Sequence, residues 1–432
     1  MQLSSGTSIR GSLAFATCTL LGTSLQDARA DASTDNWRVD SAVLYYAEQD
    51  RVTVIEPVFF LRKKTGDDKY FNARLVFDTM SGASANGATA TSTAQTFTSP
   101  SGTTTYTTPA GKTPTHEFSD ERVALALEWE RPFGRERQIV YGVNASVESD
   151  YRSVGLSTSL LQNFNDKLTT LTTGLSVSFD TVSPDGGVPV PMQLLSVIVT
   201  PPPGGDDDGG GGDGGKSKTA LDAIVGVTQV LTRRALTQFN YSIGLSSGYL
   251  NDAYKVISVV NGSTGVTDPL SYRFEGRPDS RLRQSLYWKY VYHLPQDVVN
   301  LSYRYYWDDW GVTAHSVDLH YRFELLGRSY LQPHLRYSAQ TAANFYHHSL
   351  VEGAPVPAYA SADYRLGDLV TTTAGLKLGL PVGKSGEFSL RVESMTQTGD
   401  SHPADAIGVQ RNFDLFPTIN TTIAQITYTS RF

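Results

Sequence analysis

Four ionisable side chains alternate with apolar ones in the stretch SVDLHYRFEL, residues 316–325, and they are Asp318, His320, Arg322 and Glu324. Successive side chains of a β-strand point to opposite faces, so all four share one face if this stretch is a strand. Ser316 lies on that face too, and a serine beside a histidine and an aspartate could act as the nucleophile of a hydrolase. Residues two apart share a face in any strand, so we prefer a non-catalytic strand with one polar face.

A second motif, GGGDGGKS at residues 210–217, has the pattern of a phosphate-binding loop. Every residue from Gly204 to Gly215 is glycine or aspartate, so composition alone generates the match. The aspartates offer hard oxygen ligands for calcium, but their spacing is not that of an EF-hand. We interpret residues 204–215 as a flexible, solvated loop.

Metal capture is also conceivable at loop histidines and at one pair of aspartates. His347 and His348 lie in a loop with Glu352 nearby, and His402 lies in another loop, but no third ligand stands at a recognisable spacing. Asp308 and Asp309 lie between two tryptophans and before a glycine, a composition typical of a tight turn. We therefore predict surface histidines, an aspartate turn, and no bound metal or cofactor.

The elements that carry these residues follow from an alternation that recurs along the chain. Apolar and polar residues alternate at residues 122–129, 139–148, 299–307 and 387–393. Helical periodicity is scarce, and outside the N-terminal segment no run of about eighteen apolar residues could form a transmembrane helix. The sequence therefore predicts strands with one apolar and one polar face.

Short and variable connections separate the predicted strands. The short ones are KTGDD (64–68), RPFGRE (131–136), NFNDK (163–167), TRR (232–234), LPQD (294–297), LLGR (325–328) and PVGKS (381–385). The variable ones lie near residues 47–51, 80–117, 150–151, 181–218, 250–280, 308–311, 340–362 and 399–416. Together they require about sixteen strands, and short turns opposite long loops are typical of outer-membrane barrels. We predict an all-β fold, a transmembrane antiparallel up-and-down barrel of about sixteen strands with short periplasmic turns and long extracellular loops.

Residues 1–30 have the features of a secretory signal peptide. A basic residue precedes the stretch from Gly11 to Leu25, and Ala28-Arg29-Ala30 supplies a small-residue cleavage site. The single cysteine, Cys18, lies in this segment, so no disulfide is expected in the barrel domain, residues 31–432. We predict an exported protein of the Gram-negative outer membrane.

In such a barrel the apolar face contacts lipid and the polar face lines the lumen. A shift of one residue would turn Asp318 and His320 toward lipid, which the pattern therefore excludes. Arg281, Arg283 and Lys289 share one strand face, and three like charges there should bias the local potential toward positive values. The candidate selectivity residues of the lumen are Glu128, Glu148, Arg281, Arg283, Lys289, Arg304, Asp318, His320, Arg322, Glu324, Arg336, Arg391 and Glu393.

Aromatic residues and the last strand indicate partners at the membrane. The chain has 23 tyrosines and 5 tryptophans, residues that favour the interfaces of a bilayer. The strand TTIAQITYTSRF ends on Phe432, which is similar to the signal read by the barrel-assembly machinery. The net charge of -7 is mild for 432 residues and argues against a nucleic-acid partner. We expect outer-membrane lipid and the assembly machinery as partners.

Several stretches resemble a bacterial family of predicted outer-membrane barrels, the domain-of-unknown-function family 3570. They are VLYYAEQDRV (43–52), FDTMSGASANGA (77–88), SVESDYRSVG (146–155), YRYYWDDWGVTAHSVDLHYRFEL (303–325), YLQPHLRYSAQTAANFY (330–346), SADYRLGD (361–368) and ESMTQTGD (393–400). The DDWG and QPHLRY motifs are the more specific ones. This resemblance implies an exported barrel and no established activity.

Three functions are compatible with these features. The first is a porin-like channel for a small hydrophilic solute, since a barrel of sixteen strands is wide enough for water. The second is a non-conducting scaffold or sleeve for a periplasmic or extracellular partner. The third, an outer-membrane hydrolase, receives the least support, and we predict that the protein is not an enzyme.

Overall fold

The structure, a computed structural model, describes residues 37–98, 105–184, 187–195, 215–416 and 418–432. The predicted signal peptide and nearly all of the glycine-aspartate loop lie outside these ranges. Strands dominate the described part of the chain, in which no helix has the length and apolar character needed to cross a membrane.

The described residues form the following strands and short 3-10 helices. The strands are β1 (Trp37–Glu48), β2 (Val52–Gly66), β3 (Lys69–Ala85), β4 (Gln95–Thr98), β5 (Thr105–Thr108), β6 (Thr115–Pro132), β7 (Arg137–Val147), β8 (Tyr151–Phe164), β9 (Thr169–Val182), β10 (Lys216–Thr232), β11 (Ala235–Gly248), β12 (Val256–Val260), β13 (Thr267–Phe274), β14 (Ser280–His293), β15 (Val298–Asp308), β16 (Thr313–Glu324), β17 (Tyr330–Gln340), β18 (Ser349–Val351), β19 (Leu369–Val382), β20 (Gly386–Gly399) and β21 (Ile419–Arg431). The helices are Leu326–Arg328, Tyr364–Leu366 and Gly408–Asn412.

Sixteen of these strands close into one barrel, in the order β1-β2-β3-β6-β7-β8-β9-β10-β11-β14-β15-β16-β17-β19-β20-β21. Neighbours are antiparallel throughout, and β21 pairs with β1 from Arg38 opposite Arg431 to Glu48 opposite Thr421. Closure removes the unpaired backbone groups that an open sheet would leave at its edges. The predicted sixteen-stranded antiparallel barrel is confirmed.

The outer face of the barrel is apolar. On β6, for example, the outward side chains of Val123, Leu125 and Trp129 are 46%, 42% and 52% exposed. The side chains between them are less exposed and point inward, as those of Arg122 and Glu128 do. Apolar surface of this extent over a whole barrel is unfavourable in water and requires an apolar surrounding.

Outward aromatic side chains lie near both ends of the strands. Trp129, Tyr141 and Tyr428 are near the ends that carry short turns, and Tyr45 and Tyr337 are near the opposite ends. Tyrosine and tryptophan combine an apolar ring with a polar group, which suits the two interfaces of a bilayer.

All seven predicted short turns connect barrel strands at one end of the barrel. In the turn between β6 and β7, Gly134 has a φ of 87°, a conformation that glycine adopts without steric cost. The eight variable connections lie at the other end, and five of them contain more than a few residues. The predicted separation of turns from loops is therefore confirmed.

The long loops contain secondary structure that the sequence did not predict. β4 and β5 form a hairpin, and β13, β12 and β18 form a three-stranded sheet whose strands come from two different loops. The β-bridge between Leu194 and Arg273 joins a third loop to this sheet. We call the described loop residues 86–98, 105–114, 187–195, 249–279, 341–368 and 400–416 the lid.

The lid extends across the mouth of the barrel. Residues 249–279 connect the ninth and tenth strands of the ring, whereas residues 86–114 connect the third and fourth. These two loops meet, since the Val256 amide donates to the Asn86 carbonyl at 2.8 Å and the Thr89 amide donates to Ser258 Oγ at 3.0 Å. Because the strands they join lie on nearly opposite sides, the contact spans the opening.

Candidate functional site in the barrel lumen

All thirteen candidate residues lie on the inner face. Residues directly opposite each other in antiparallel strands point to the same face of the barrel. The pairing register therefore shows, strand by strand around the ring, which residues face inward. Asp318, for example, is opposite Arg336, and each is adjacent to an outward, exposed residue, Val317 and Tyr337 respectively. A role of the thirteen in selectivity remains a prediction. They are Glu128, Glu148, Arg281, Arg283, Lys289, Arg304, Asp318, His320, Arg322, Glu324, Arg336, Arg391 and Glu393.

Three basic side chains form a basic wall on one side of the lumen: Lys289 of β14, Arg304 of β15 and Arg336 of β17. None of the three is within 4.0 Å of a carboxylate belonging to a described residue. Arg304 is exposed although it faces inward, and its guanidinium carbon is 5.5 Å from the centre of the Tyr287 ring. A charged group without a carboxylate partner is stable there only if water or a ligand solvates it.

Two other candidates, Arg281 and Arg283, pair with carboxylates of other strands, Asp308 on the adjacent β15 and Asp222 on β10, two strands away. Arg281 Nε donates to Asp308 at 2.9 Å, and Arg283 is 3.3 Å from Asp222. Ion pairs therefore offset two of the three like charges along β14, and the expected bias of the potential remains a prediction. Strand alternation predicts which face a charge occupies, but the partner comes from another strand and depends on register.

An acidic wall lies across the lumen from the basic wall. It consists of Glu56 on β2, Asp78 on β3, Glu128 and Glu130 on β6, and Glu148 after β7. Arginines of the same wall offset part of this charge, since Arg62 is 2.7 Å from Glu130 and Arg122 pairs with Asp78. β3 and β15 are eight strands apart in the ring of sixteen, so the two walls face each other.

Asp318 and His320 belong to a cluster that includes His334 on β17, which the sequence did not identify as a candidate. His320 Nε2 is 2.9 Å from Asp318 Oδ1, and His334 Nε2 is 3.0 Å from Asp318 Oδ2. The two imidazole rings stack with 4.1 Å between centroids and 8° between planes. His334 Nδ1 also lies 2.9 Å from Glu393 Oε1.

A glycine makes the contact between His334 and Glu393 possible. His334 is opposite Gly375 of β19, and Gly375 is opposite Glu393 of β20. A Cβ atom at residue 375 would lie only 2.3 Å from Glu393 Cγ. Without that atom, the two side chains meet across the intervening strand.

The possible hydrolase triad is not formed. Ser316 Oγ is hydrogen-bonded to Ser338 Oγ at 2.8 Å, and His320 lies against Asp318 and Gln332. A serine nucleophile requires a histidine within hydrogen-bond reach, and the ring nitrogens of His320 already face other groups. The hypothesis based on Ser316, Asp318 and His320 is therefore not supported by the geometry.

The lid contains a buried network of charges. Arg277 Nη2 is 2.8 Å from Asp363 Oδ2 and donates to Glu275 Oε2 at 3.0 Å. Arg365 pairs with Asp363 and lies 2.9 Å from Asp252. These residues come from the loops 249–279 and 341–368, so the ion pairs join one loop to the other.

A further cation, Lys255, joins this network to the barrel wall. Its Nζ donates to Ser84 Oγ at 3.1 Å and to the Ala85 carbonyl at the end of β3. Burial alone would raise the pKa of Asp363, but Arg365, Lys255 and Arg277 hold it well below its usual range. Burial raises the pKa of Glu275, although Arg277 opposes this effect.

The remaining sequence candidates lie outside these sites. Two clusters of at least three metal-ligand residues occur in the described part of the chain, and neither includes a loop histidine. Asp308 Oδ1 accepts the Val312 amide at 2.9 Å, as a turn residue does, and its other oxygen binds Arg281, whereas Asp309 Oδ1 accepts the Leu282 amide of β14 at 2.9 Å. Lys216 begins strand β10, so the helix that a phosphate-binding loop requires does not follow the glycine-rich motif.

Comparison with protein families finds a match over residues 10–430 to the family described as "Protein of unknown function (DUF3570)". The chain belongs to this family. The resemblance seen in the sequence is therefore confirmed, and membership assigns no activity. No curated protein matches the sequence.

Solved structures with a similar fold are outer-membrane proteins. A bacterial polysaccharide outer membrane secretin is 10% identical, with a TM-score of 0.46, and the match covers 93% of this chain and 100% of that chain. The outer membrane protein opdK from Pseudomonas aeruginosa is 8% identical, with a TM-score of 0.40 and coverages of 92% and 98%. A mutant of the ferric enterobactin receptor from the same species is 11% identical, with a TM-score of 0.42 and coverages of 91% and 60%. Sequence identities and TM-scores this low support no conclusion about function.

Proposed function

We propose that this DUF3570 member is a bacterial outer-membrane barrel that provides a porin-like channel for a small hydrophilic solute. The apolar outer face suits lipid, and the C-terminal strand β21 with Phe432 suits recognition by the barrel-assembly machinery. These two features support localisation in the outer membrane. Barrels of sixteen strands leave an aqueous interior unless loops fill it.

One observation carries the channel proposal: the basic wall of Lys289, Arg304 and Arg336 faces the acidic wall across the lumen. Charges without a carboxylate partner require water or another polar group around them, which supports a hydrated lumen at this level. Opposed charge of the two signs creates a field across the lumen and orients any polar solute that enters. Such a lining favours hydrophilic solutes and disfavours apolar ones.

The lid supports a second candidate, a non-conducting scaffold or sleeve. Its loops meet across the mouth and are joined by buried ion pairs such as Arg277–Asp363. A lid that stays closed would leave a barrel that anchors a partner and passes no solute. The two candidates differ in whether the purified protein conducts.

Planar-bilayer recording of the purified full-length protein separates them. We expect ion current from the wild type and a shift of the reversal potential toward cations when Arg304 and Arg336 are both changed to glutamate. The shift should shrink as salt rises, because the Debye length falls from about 10 Å at 0.1 M to about 3 Å at 1 M. Arg135→Glu, the same charge change in an exposed turn, is the matched control and should leave the reversal potential unchanged.

The variant Asp363→Asn, which removes a central carboxylate of the lid, extends this test. If neither the wild type nor this variant carries current although both are folded, the channel proposal is wrong and the sleeve is the better account. Current from the variant alone would identify the lid as the barrier.

A further inference from the structure

We propose that Asp318, His320 and His334 form a binding site for one divalent first-row transition-metal ion in the wall of the lumen. The three side chains belong to two adjacent strands, β16 and β17. This inference rests on the local geometry of the cluster and holds whether or not the barrel conducts.

The ligand atoms of the three side chains lie close together. One oxygen of Asp318 faces His320 Nε2 and the other faces His334 Nε2, and all three potential ligand atoms lie within 4.8 Å of one another. His320 and His334 are directly opposite each other in the β16–β17 ladder, so the strand register itself brings the imidazoles together. The backbone is held by rigid strands, and the two stacked rings need only tilt apart for their nitrogens to point at one ion beside Asp318.

Outer contacts of the cluster match those of metal-binding histidines. Such histidines usually donate the second ring N–H to a carboxylate, which orients the ring and makes the ligand nitrogen more basic. Glu393 stands in this position, 2.9 Å from His334 Nδ1, and Gly375 leaves the space for it. The proposed site and the residues that orient it thus come from four consecutive strands of the barrel, β16, β17, β19 and β20.

The second imidazole has an adaptable partner. Gln332 Nε2 lies 3.2 Å from His320 Nδ1, and a half-turn of the glutamine amide would bring its oxygen to the ring instead. With the oxygen facing the ring, Gln332 accepts the Nδ1–H and leaves Nε2 of His320 for the metal. Glu393 therefore favours the tautomer of His334 that is needed for binding, and Gln332 favours that of His320 once its amide has turned.

The ligand set selects the class of ion. Two imidazoles and one carboxylate suit Zn²⁺, Co²⁺, Ni²⁺ or Cu²⁺, whereas Ca²⁺ and Mg²⁺ prefer ligand sets made only of oxygen. The alternative role of the cluster is a network of hydrogen bonds in which His334 joins two carboxylates. Arg336 and Arg391 add positive charge nearby, which favours that alternative and makes a direct test necessary.

Cobalt titration of the folded protein, purified without a polyhistidine tag, tests the inference. We expect one equivalent of Co²⁺ to bind and to produce visible absorption bands. His320→Gln and His334→Gln should each abolish these bands. A variant with His347, His348 and His402 all changed to glutamine is the matched control and should keep them.

Glu393 and Gly375 orient His334 without binding the ion, so changes at these residues should weaken the site without abolishing it. Glu393→Gln leaves the three ligands in place and should weaken Co²⁺ binding about 10- to 100-fold, the usual effect of losing such a carboxylate. Gly375→Ala should weaken binding to a similar extent, because the added methyl group displaces Glu393. A hydrogen-bonded network without a metal site predicts no binding in any of these proteins.

A measurement on the unaltered protein guards against variants that fail to fold. Diethyl pyrocarbonate modifies exposed imidazoles, and the His320 side chain is 28% exposed. Zn²⁺ should protect His320, located by mass spectrometry, and leave the modification of His402 unchanged. The inference is overturned if Co²⁺ shows no saturable binding, if His320→Gln retains wild-type affinity, or if Zn²⁺ does not protect His320.

Discussion

Asp308 and Asp309 are neighbours in one connection, yet their side chains have different partners. The Asp308 carboxylate is fully buried, pairs with Arg281, and accepts the Tyr306 hydroxyl at 2.7 Å. Asp309 accepts one backbone amide, that of Leu282. Asp308 Oδ1 also accepts the Val312 amide at 2.9 Å, so Asp308 has the turn role that the sequence suggested for both residues, whereas Asp309 bonds to β14.

Asparagine substitution tests this difference at the residue scale. Asp308→Asn leaves the guanidinium of Arg281 without its carboxylate and should lower the free energy of unfolding by about 3 kcal/mol. Asp309→Asn keeps an oxygen that can accept the Leu282 amide and should change it by less than about 0.5 kcal/mol. Urea unfolding in detergent micelles, followed by tryptophan fluorescence, measures both. Equal effects of the two changes would contradict the assigned roles.

At the scale of the strand, alternation decides which solvent each residue meets. On β14, Leu286 is 50% exposed on the outer face, while the adjacent Ser285 points inward and is hydrogen-bonded to Ser242 at 2.7 Å. The two residues are neighbours in sequence but lie on opposite faces. A charge introduced at one position should therefore have a different effect from the same charge at the other.

Arginine substitution at these two positions tests the face assignment. Leu286→Arg places a charge on the lipid face and should cost about 2–4 kcal/mol if this position lies near the bilayer midplane. Ser285→Arg adds the same charge to a hydrated lumen and should cost far less. Heat-modifiable migration on gels and urea midpoints in lipid vesicles report assembly and stability. Equal tolerance of the two changes would show that the face assignment of β14 is wrong.

At the scale of the whole molecule, the lid lies across the mouth of the barrel, where two of its loops meet. Its buried ion pairs connect loops that are distant in sequence, as Arg365 and Asp252 do. The pKa of Asp363 lies well below its usual range, so its stabilising contribution is present above the unfolded-state pKa of about 3.9. That contribution is lost only as pH falls through the folded-state pKa. We therefore expect this group to hold the lid equally well at pH 7 and pH 5.

Limited proteolysis of the folded barrel tests the lid. Asp363→Asn leaves Arg277 and Arg365 with fewer carboxylates and should lower the free energy of lid opening by about 3–5 kcal/mol, as loss of a buried partner does. Protease should then cut loops 249–279 and 341–368 in the variant much faster than in the wild type, while the barrel remains heat-modifiable. Asp368→Asn is the matched control, because asparagine retains an oxygen for the Ala342 amide that Asp368 accepts at 2.8 Å. Wild-type cleavage rates in Asp363→Asn would show that the ion pairs do not hold the lid.

The sequence by itself determined the barrel, the number of its strands, the end at which its turns lie and the face on which each candidate residue stands. All of these follow from a period of two residues and from the lengths of connections, which are local properties. The tertiary structure decided which side chains contact one another. His334 meets Glu393, 59 residues away, only because β17, β19 and β20 are adjacent and Gly375 lies between them. The lid likewise depends on which loops meet across the mouth, and no local pattern encodes a contact between chain segments on opposite sides of a closed ring.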